Sequence, residues 1–302
     1  MENRATLTDQ LQHDITGEFL RIAGLSPDGV LRKIFGPLLN KPTRRFAELA
    51  ADFDYEISQT CISEASRIYL DRYANGFQAS GEEGVPSTGS LIVVSNHPGT
   101  FDLFTVLSNI PRDDIQFIIS GVPVVRSLPA ASKYLIYVPS DAHGRIKVIR
   151  TAIRHLNQGG CLVLFPSGIL DPDPEFMPGA ELALSNWSRS LDLFLRRAPD
   201  ARIQIAIVSG VIPPSALNHP LAKLAKERWK KQRLAEFLYV SGHMVRGDTF
   251  DLEPNVSFAK PMSIHDLGGI YGEKRVLEGV IDLARVQLTT HQNLYSCYTE
   301  PQ

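Results

Sequence analysis

His97 and Asp102 stand five residues apart in Ser95-Asn96-His97-Pro98-Gly99-Thr100-Phe101-Asp102, directly after the apolar run Leu91-Ile92-Val93-Val94. A strand ending in such a turn delivers its side chains beyond the carboxyl edge of a sheet, where α/β proteins bind their ligands. Pro98 and Gly99 break the chain between the two residues, so a carboxylate on the first turn of a following helix can fold back toward the imidazole. A carboxylate on one ring nitrogen fixes the tautomer and supports the imidazolium formed when the other nitrogen takes a proton. The pattern is a general base with its orienting acid and no protein nucleophile beside it, so the substrate brings the nucleophile. Read without chemistry, the same residues are a capping Asp and a histidine satisfied by a backbone carbonyl. A second apolar run ends in Phe165-Pro166-Ser167-Gly168, a turn of the kind that exposes backbone amides near a sheet edge.

These residues need a sheet to position them. Leu91-Val94, Ile115-Ile119, Leu135-Val138, Cys161-Phe165 and Ile203-Val208 are Val- and Ile-rich and read as buried strands. Thr100-Asn109, Gly144-Leu156 and Pro178-Arg197 read as the helices between them, and a last helix is expected over about 273–290. Phe237-Val240 and Val256-Phe258 are expected as edge strands. Such alternation predicts an α/β fold with a mixed, largely parallel sheet flanked by helices. The first eighty residues read instead as four short amphipathic helices. Thr8 caps the first, which ends near Gly24; Ser26-Pro27 opens the second, Thr43 the third and Ser58 the fourth, closed by Asn75-Gly76. Gly81 to Gly89 reads as a linker, giving an N-terminal helical region over 1–80 and an α/β domain over 85–302.

The 302 residues are 43% hydrophobic, enough for a sizeable core, and the net charge of -2 excludes a strongly basic nucleic-acid binder. Three widely spaced cysteines, Cys61, Cys161 and Cys297, fit a reducing compartment better than a disulfide framework. The N-terminus lacks the apolar core of a secretory signal, and the longest apolar stretch, near Ile203 to Pro214, is too broken to span a bilayer. A cytoplasmic protein is expected, peripheral to the membrane if it touches one.

Together the motifs resemble the glycerolipid acyltransferases, the glycerol-phosphate and lysophosphatidate acyltransferases. Their first block, Asn-His, four residues and Asp, is matched by Asn96 to Asp102. Their third, Phe-Pro-Glu-Gly, is matched in part by Phe165, Pro166, Ser167 and Gly168, and their fourth by Ile205-Val208 running to Ile212-Pro213. The resemblance covers roughly residues 90 to 215, and Val256 to Pro261 is similar to a late strand of the family. It implies transfer of a fatty acyl group from acyl-CoA or an acyl-carrier protein to a hydroxyl acceptor, with His97 as base and Asp102 as its orienter. Backbone amides near Gly168 or at the helix opening at Thr100 are the candidate oxyanion donors. No metal or organic cofactor is required. Asn96 and the Phe165-Gly168 turn are implied as substrate-binding. Two departures stand out: Ser140 falls where the second block ends in arginine, and Ser167 and Leu170 replace the glutamate and arginine of the third. Those positions are associated with holding the acceptor's phosphate. Arg126, Lys133 and Arg145 lie nearby in sequence as substitutes, or else face solvent; failing them, the acceptor is an alcohol without that phosphate.

Two weaker signals remain. Asp171, Asp173 and Glu175 alternate with prolines, reading as a solvated turn with a divalent metal site as the alternative. Lys223, Lys226, Arg228, Lys230, Lys231 and Arg233 cluster on one expected helix, either a plain surface helix or one drawn to anionic lipid or an acyl carrier protein. Rival readings of the whole are a non-catalytic lipid-binding or scaffold protein on a decayed acyltransferase fold, and a thioester hydrolase.

Overall fold

The computed structural model describes residues 2–22, 26, 30–120, 123–139, 141–271 and 276–295. Three helices come first: α1 (Glu2–Ile22), α2 (Val30–Gln59) and α3 (Ile62–Tyr73). A short strand β1 (Gln78–Ser80) precedes β2 (Leu91–Ser95), α4 (Phe101–Leu107), β3 (Ile115–Ile119) and β4 (Leu135–Tyr137). Then follow α5 (Ala142–Asn157), β5 (Cys161–Leu164), α6 (Ala180–Leu184), α7 (Ser190–Arg197), β6 (Arg202–Ser209) and α8 (Pro214–Leu217). The chain continues through α9 (Arg228–Arg246), β7 (Asn255–Phe258), β8 (Met262–Ser263), α10 (Ile264–Tyr271) and α11 (Val276–Tyr295).

The strands form one mixed, largely parallel sheet in the order β1-β7-β6-β2-β5-β3-β4, with β8 also on β6. β2, central in the order, pairs in parallel with β5 and β6, while β7 runs antiparallel to β6. Successive residues of a strand face opposite sides. Leu91 and Val93 accordingly enter the core shared with α1–α4 and α9, whereas Ile92 and Val94 enter the core beneath α5, α7 and α11. Helices on both faces bury the central strands completely, which is why their sequences are continuous apolar runs.

The amino ends of β2, β3 and β5 are tied by one residue. The buried Arg112 side chain donates from Nε and Nη2 to Asp114 (2.8 and 2.6 Å), and from its Nη atoms to the carbonyls of Gly89 (2.6 Å), Gly159 (2.7 Å) and Pro86 (3.3 Å). Its fork is matched by acceptors from three separate turns.

Several expectations require correction. The helices expected to begin at Ser26-Pro27 and Thr43 are one, α2, with Pro37 and Pro42 inside it. Thr43 is buried mid-helix, and its hydroxyl donates back to Leu39 O at 2.8 Å rather than capping a new start. Gly24 and Pro27, used to bound those helices, and Cys297 lie outside the described residues. Phe237-Val240 is helical: the β-prone Phe237, Tyr239 and Val240 sit within α9, which runs on to a left-handed cap at Gly247. Pro178-Arg197 is split into α6 and α7 where Ser188 N–H turns to bond Pro166 O at 3.0 Å. Val256-Phe258 lies in β7, between β6 and β1, and so is interior; β1 and β8 were not foreseen. The segment 81–89 leaves β1 through Gly81, at φ +75°, where a Cβ would lie 2.3 Å from Phe258 O.

Candidate active site

Asn96, His97 and Asp102 come together at the carboxyl end of β2, as their spacing suggested. The turn is fixed first by Asn96. Its buried amide donates to Val208 O and accepts from Val208 N–H, both at 2.8 Å, so the end of β2 is pinned to β6. This engages both ends of the Asn96 side chain with protein, so its place is to set the turn. His97 then projects from the sheet edge with its ring stacked on Phe165, centroids 4.8 Å apart. Asp102, buried in the first turn of α4, places Oδ2 at 2.8 Å from His97 Nδ1 and 3.0 Å from Gly99 N. Its other oxygen, Oδ1, is buried without a hydrogen-bond partner. The His97 side chain is 32% exposed, so the pair is open on one side only.

Asp171 meets the same turn from the loop after β5. His97 N–H donates to Asp171 Oδ2 (2.9 Å) and Asp171 N–H donates to His97 O (2.8 Å). Two residues on, buried Asp173 accepts from Glu175 N (3.0 Å), Gly210 N (3.1 Å) and Val211 N (2.9 Å). The Asp-Pro-Asp-Pro-Glu run is therefore no solvated turn: its first two acids hold backbone amides of the β2 and β6 exits.

A third element closes the site. α9 presents Arg228, Gln232 and Glu236 at intervals of four, one face of a helix. Gln232, fully buried, donates to both Pro98 O (2.8 Å) and Asp171 O (2.6 Å), joining the two turns. Its Oε1 accepts from Arg228, which also donates to Leu170 O at 3.0 Å. Glu236 Oε1 accepts the Thr100 amide. A Cβ on Gly99 would stand 2.8 Å from that oxygen and 3.3 Å from side-chain carbons of Val211 and Ile212, so a larger residue here would displace the Glu236 carboxylate.

These acids set the charge of the ring. Burial disfavours the imidazolium, but Asp102, Glu236 and Asp171 outweigh it and raise His97 to about 9. Burial in turn pushes Asp171 and Glu236 above the ordinary carboxylate range. It also raises Asp173 to about 6 and Glu175 to about 7.

Residues 76–187, from the start of the sheet through α6, match the Acyltransferase family model. The full fold is also similar to the crystal structure of the 1-acyl-sn-glycerophosphate (LPA) acyltransferase PlsC from Thermotoga maritima, at 15% identity and TM-score 0.49, over 98% of this chain and 100% of that one. A search of the curated proteins found no match.

The fold brings some expected site residues together and scatters others. Phe165 lies on His97, buried Pro166 accepts from Ser188, and the Ser167 hydroxyl donates to Ile169 O at 2.7 Å. Gly168 N–H is bonded to Phe165 O (3.3 Å) and Thr100 N–H to Glu236, so these two amides of the turn and of the helix opening are engaged within the protein. Lys133 precedes β4, at the amino ends of the parallel strands and away from the His97 turn. Arg126 lies over the Tyr137 ring, 5.0 Å from its centroid, beside β4. β4 is three strands from β2, roughly 14 Å across the sheet. Arg145 is exposed on the first turn of α5, which follows β4. Ser140 lies outside the described residues. The residues not foreseen are Arg228, Gln232 and Glu236; their spacing of four was visible, but nothing in sequence linked it to residues 97–102.

Proposed function

We propose that this acyltransferase moves a fatty acyl group from a thioester, on CoA or an acyl-carrier protein, to the hydroxyl of a glycerolipid-type acceptor. The observation carrying this reading is the His97 Nδ1–Asp102 Oδ2 contact of 2.8 Å on a ring that is partly open to solvent. With Nδ1 held by the acid, Nε2 is the nitrogen that takes the acceptor's proton as its oxygen attacks the thioester carbonyl. The tetrahedral adduct collapses by breaking the C–S bond, and the imidazolium returns the proton to the departing thiolate. The ester and free thiol leave with His97 restored. Among this chain's residues, the reaction needs a base and its orienter.

Arg228 favours a charged acceptor. It brings a guanidinium to the Leu170 carbonyl, where the third block lacks its arginine, and a forked cation suits a phosphate. Around it, Leu221 and Leu224 are 50% and 76% exposed beside Lys223, Lys226 and Lys230, a surface suited to peripheral docking on anionic lipid. Among the described residues no helix is long and apolar enough to cross a membrane.

The test is to incubate purified protein with acyl-CoA or acyl-carrier protein and glycerol 3-phosphate, lysophosphatidate or uncharged alcohols, following thiol release and product mass together. Thiol released with an acylated product supports the reading. Thiol without ester identifies a hydrolase, and neither identifies a non-catalytic lipid binder. Sedimentation with anionic vesicles should weaken as salt rises, because exposed charges are screened over about 10 Å at 0.1 M; salt-independent binding removes the lysine surface from the proposal.

A further inference from the structure

The His97–Asp102 pair is held by more than its own turn. Asp102 sits on α4, whose N-cap is Thr100, and the Thr100 N–H has no intrahelical acceptor because it stands at the start of the helix. No side chain from its own segment caps it. The acceptor comes from α9, 136 residues away, as the carboxylate of Glu236. The same carboxylate packs against Gly99, the residue between His97 and Asp102 whose N–H bonds Asp102 Oδ2 at 3.0 Å. One turn earlier on α9, Gln232 holds Pro98 O. Every residue from Pro98 to Thr100 is thereby touched by the α9 stripe.

We propose that Glu236 is a positioning residue for this site: from α9 it caps α4, seats Asp102 against His97, and sets a further carboxylate beside the histidine. The inference deepens the acyl-transfer reading and rests on it for its catalytic meaning. A neutral Gln232 and an acidic Glu236 divide the work. The amide fixes the path of the chain, and the acid adds charge to a base that must bear a proton mid-reaction. The charged groups facing His97 are Asp102 on α4, Asp171 on the loop after β5, and Glu236 on α9, with Arg228 facing Asp171 from the other side. Burial raises Glu236, while the Thr100 amide and, more weakly, the His97 charge draw it down, so the charge on each group bears on the other.

The decisive variant is Glu236→Gln, which keeps an oxygen for the Thr100 amide and removes the charge. It should fold with nearly unchanged thermal stability. The His97 ring titration, followed by nitrogen-resolved NMR, should fall by about one pH unit, and the acid limb of kcat/KM should move down with it while donor KM stays. Glu236→Ala, which removes the cap as well, should lower turnover and thermal stability together. A folded Glu236→Gln protein with the unaltered His97 midpoint overturns the proposal. The unsubstituted protein supplies a second test that needs no variant to fold: the Glu236 carboxyl carbon should show an inflection shared with His97, and its absence also overturns the proposal. Both NMR readouts are independent of acyl transfer. A protein that transfers no acyl group refutes the proposed function and leaves this test standing.

Discussion

The two ends of the parallel strands treat buried charge in opposite ways. At the amino ends, Arg112 spends its fork on Asp114 and on three carbonyls from two further turns. At the carboxyl ends, one imidazole faces three acids, Asp102 keeps an oxygen without a partner, and His97 remains partly open. A saturated cluster has nothing left to offer a substrate, and its worth is in stability. An unsaturated one holds polar capacity in reserve at some cost to stability, as catalytic sites do. The contrast sets a saturated scaffold apart from the proposed site without reference to any motif.

Substitutions at the two ends should therefore fail in different measurements. His97→Ala should lower turnover by about 10² to 10⁴ while leaving denaturant unfolding close to that of the unaltered protein; Asp102→Asn should lose less, since it can still hold the ring. Near-native turnover in His97→Ala would falsify the mechanism. Arg112→Ala should do the reverse. Orphaning Asp114 and three carbonyls should cost about 3 kcal/mol of stability or more, with kcat per folded molecule little changed. If Arg112→Ala were to lose activity and keep its stability, the division of labour drawn above would collapse.

A smaller effect is expected where Arg228 bridges α9 and the third-block loop. Losing a charged hydrogen bond costs about 1.5 to 3 kcal/mol, so Arg228→Ala should raise KM for a phosphorylated acceptor by roughly ten- to a hundredfold and leave uncharged alcohols alone. Equal loss with both acceptors would assign Arg228 to holding Gln232. The gentlest probe is pH. His97 is raised from 6.5 to about 9 in the folded protein, so its contribution to stability is fully present below about 6.5 and is lost as pH rises toward 9. Base catalysis needs the neutral ring, so activity should climb over the same window. Activity and thermal stability measured from pH 6 to 9 should thus run in opposite directions, and His97→Ala should flatten this histidine-linked part of the stability curve.

What the sequence disclosed follows from how far apart the contributing residues lie. β2 and β5 were legible because burial on both faces leaves a continuous apolar run. The His97–Asp102 contact was legible because five residues and one turn contain it. Glu236 and Gln232 act on residues 136 and 134 positions away, and no local pattern encodes such a meeting. Asp171 and Asp173 looked solvated because acids between prolines usually are; their burial is set by the exits of β2 and β6. Phe237-Val240 was misread for a related reason. Its β-prone composition is real, but four residues cannot override the helix on either side of them.

The pairing of β1 with β7 has a consequence for how the chain is made. Gln78, Ala79 and Ser80 lie against Asn255, Val256 and Ser257, and beside them the Asn75 side chain bonds Asp251, 176 residues later. At ribosomal rates of about 5 to 20 residues per second, the early strand waits roughly 9 to 35 seconds for its neighbour to be synthesised. Contacts of such long sequence separation are also the slow ones to close. The helices before β1 can collapse at once, but the edge they lead to stays unpaired until most of the chain has emerged, which makes this flank of the sheet the place where a nascent chain is most exposed to strand pairing with other molecules.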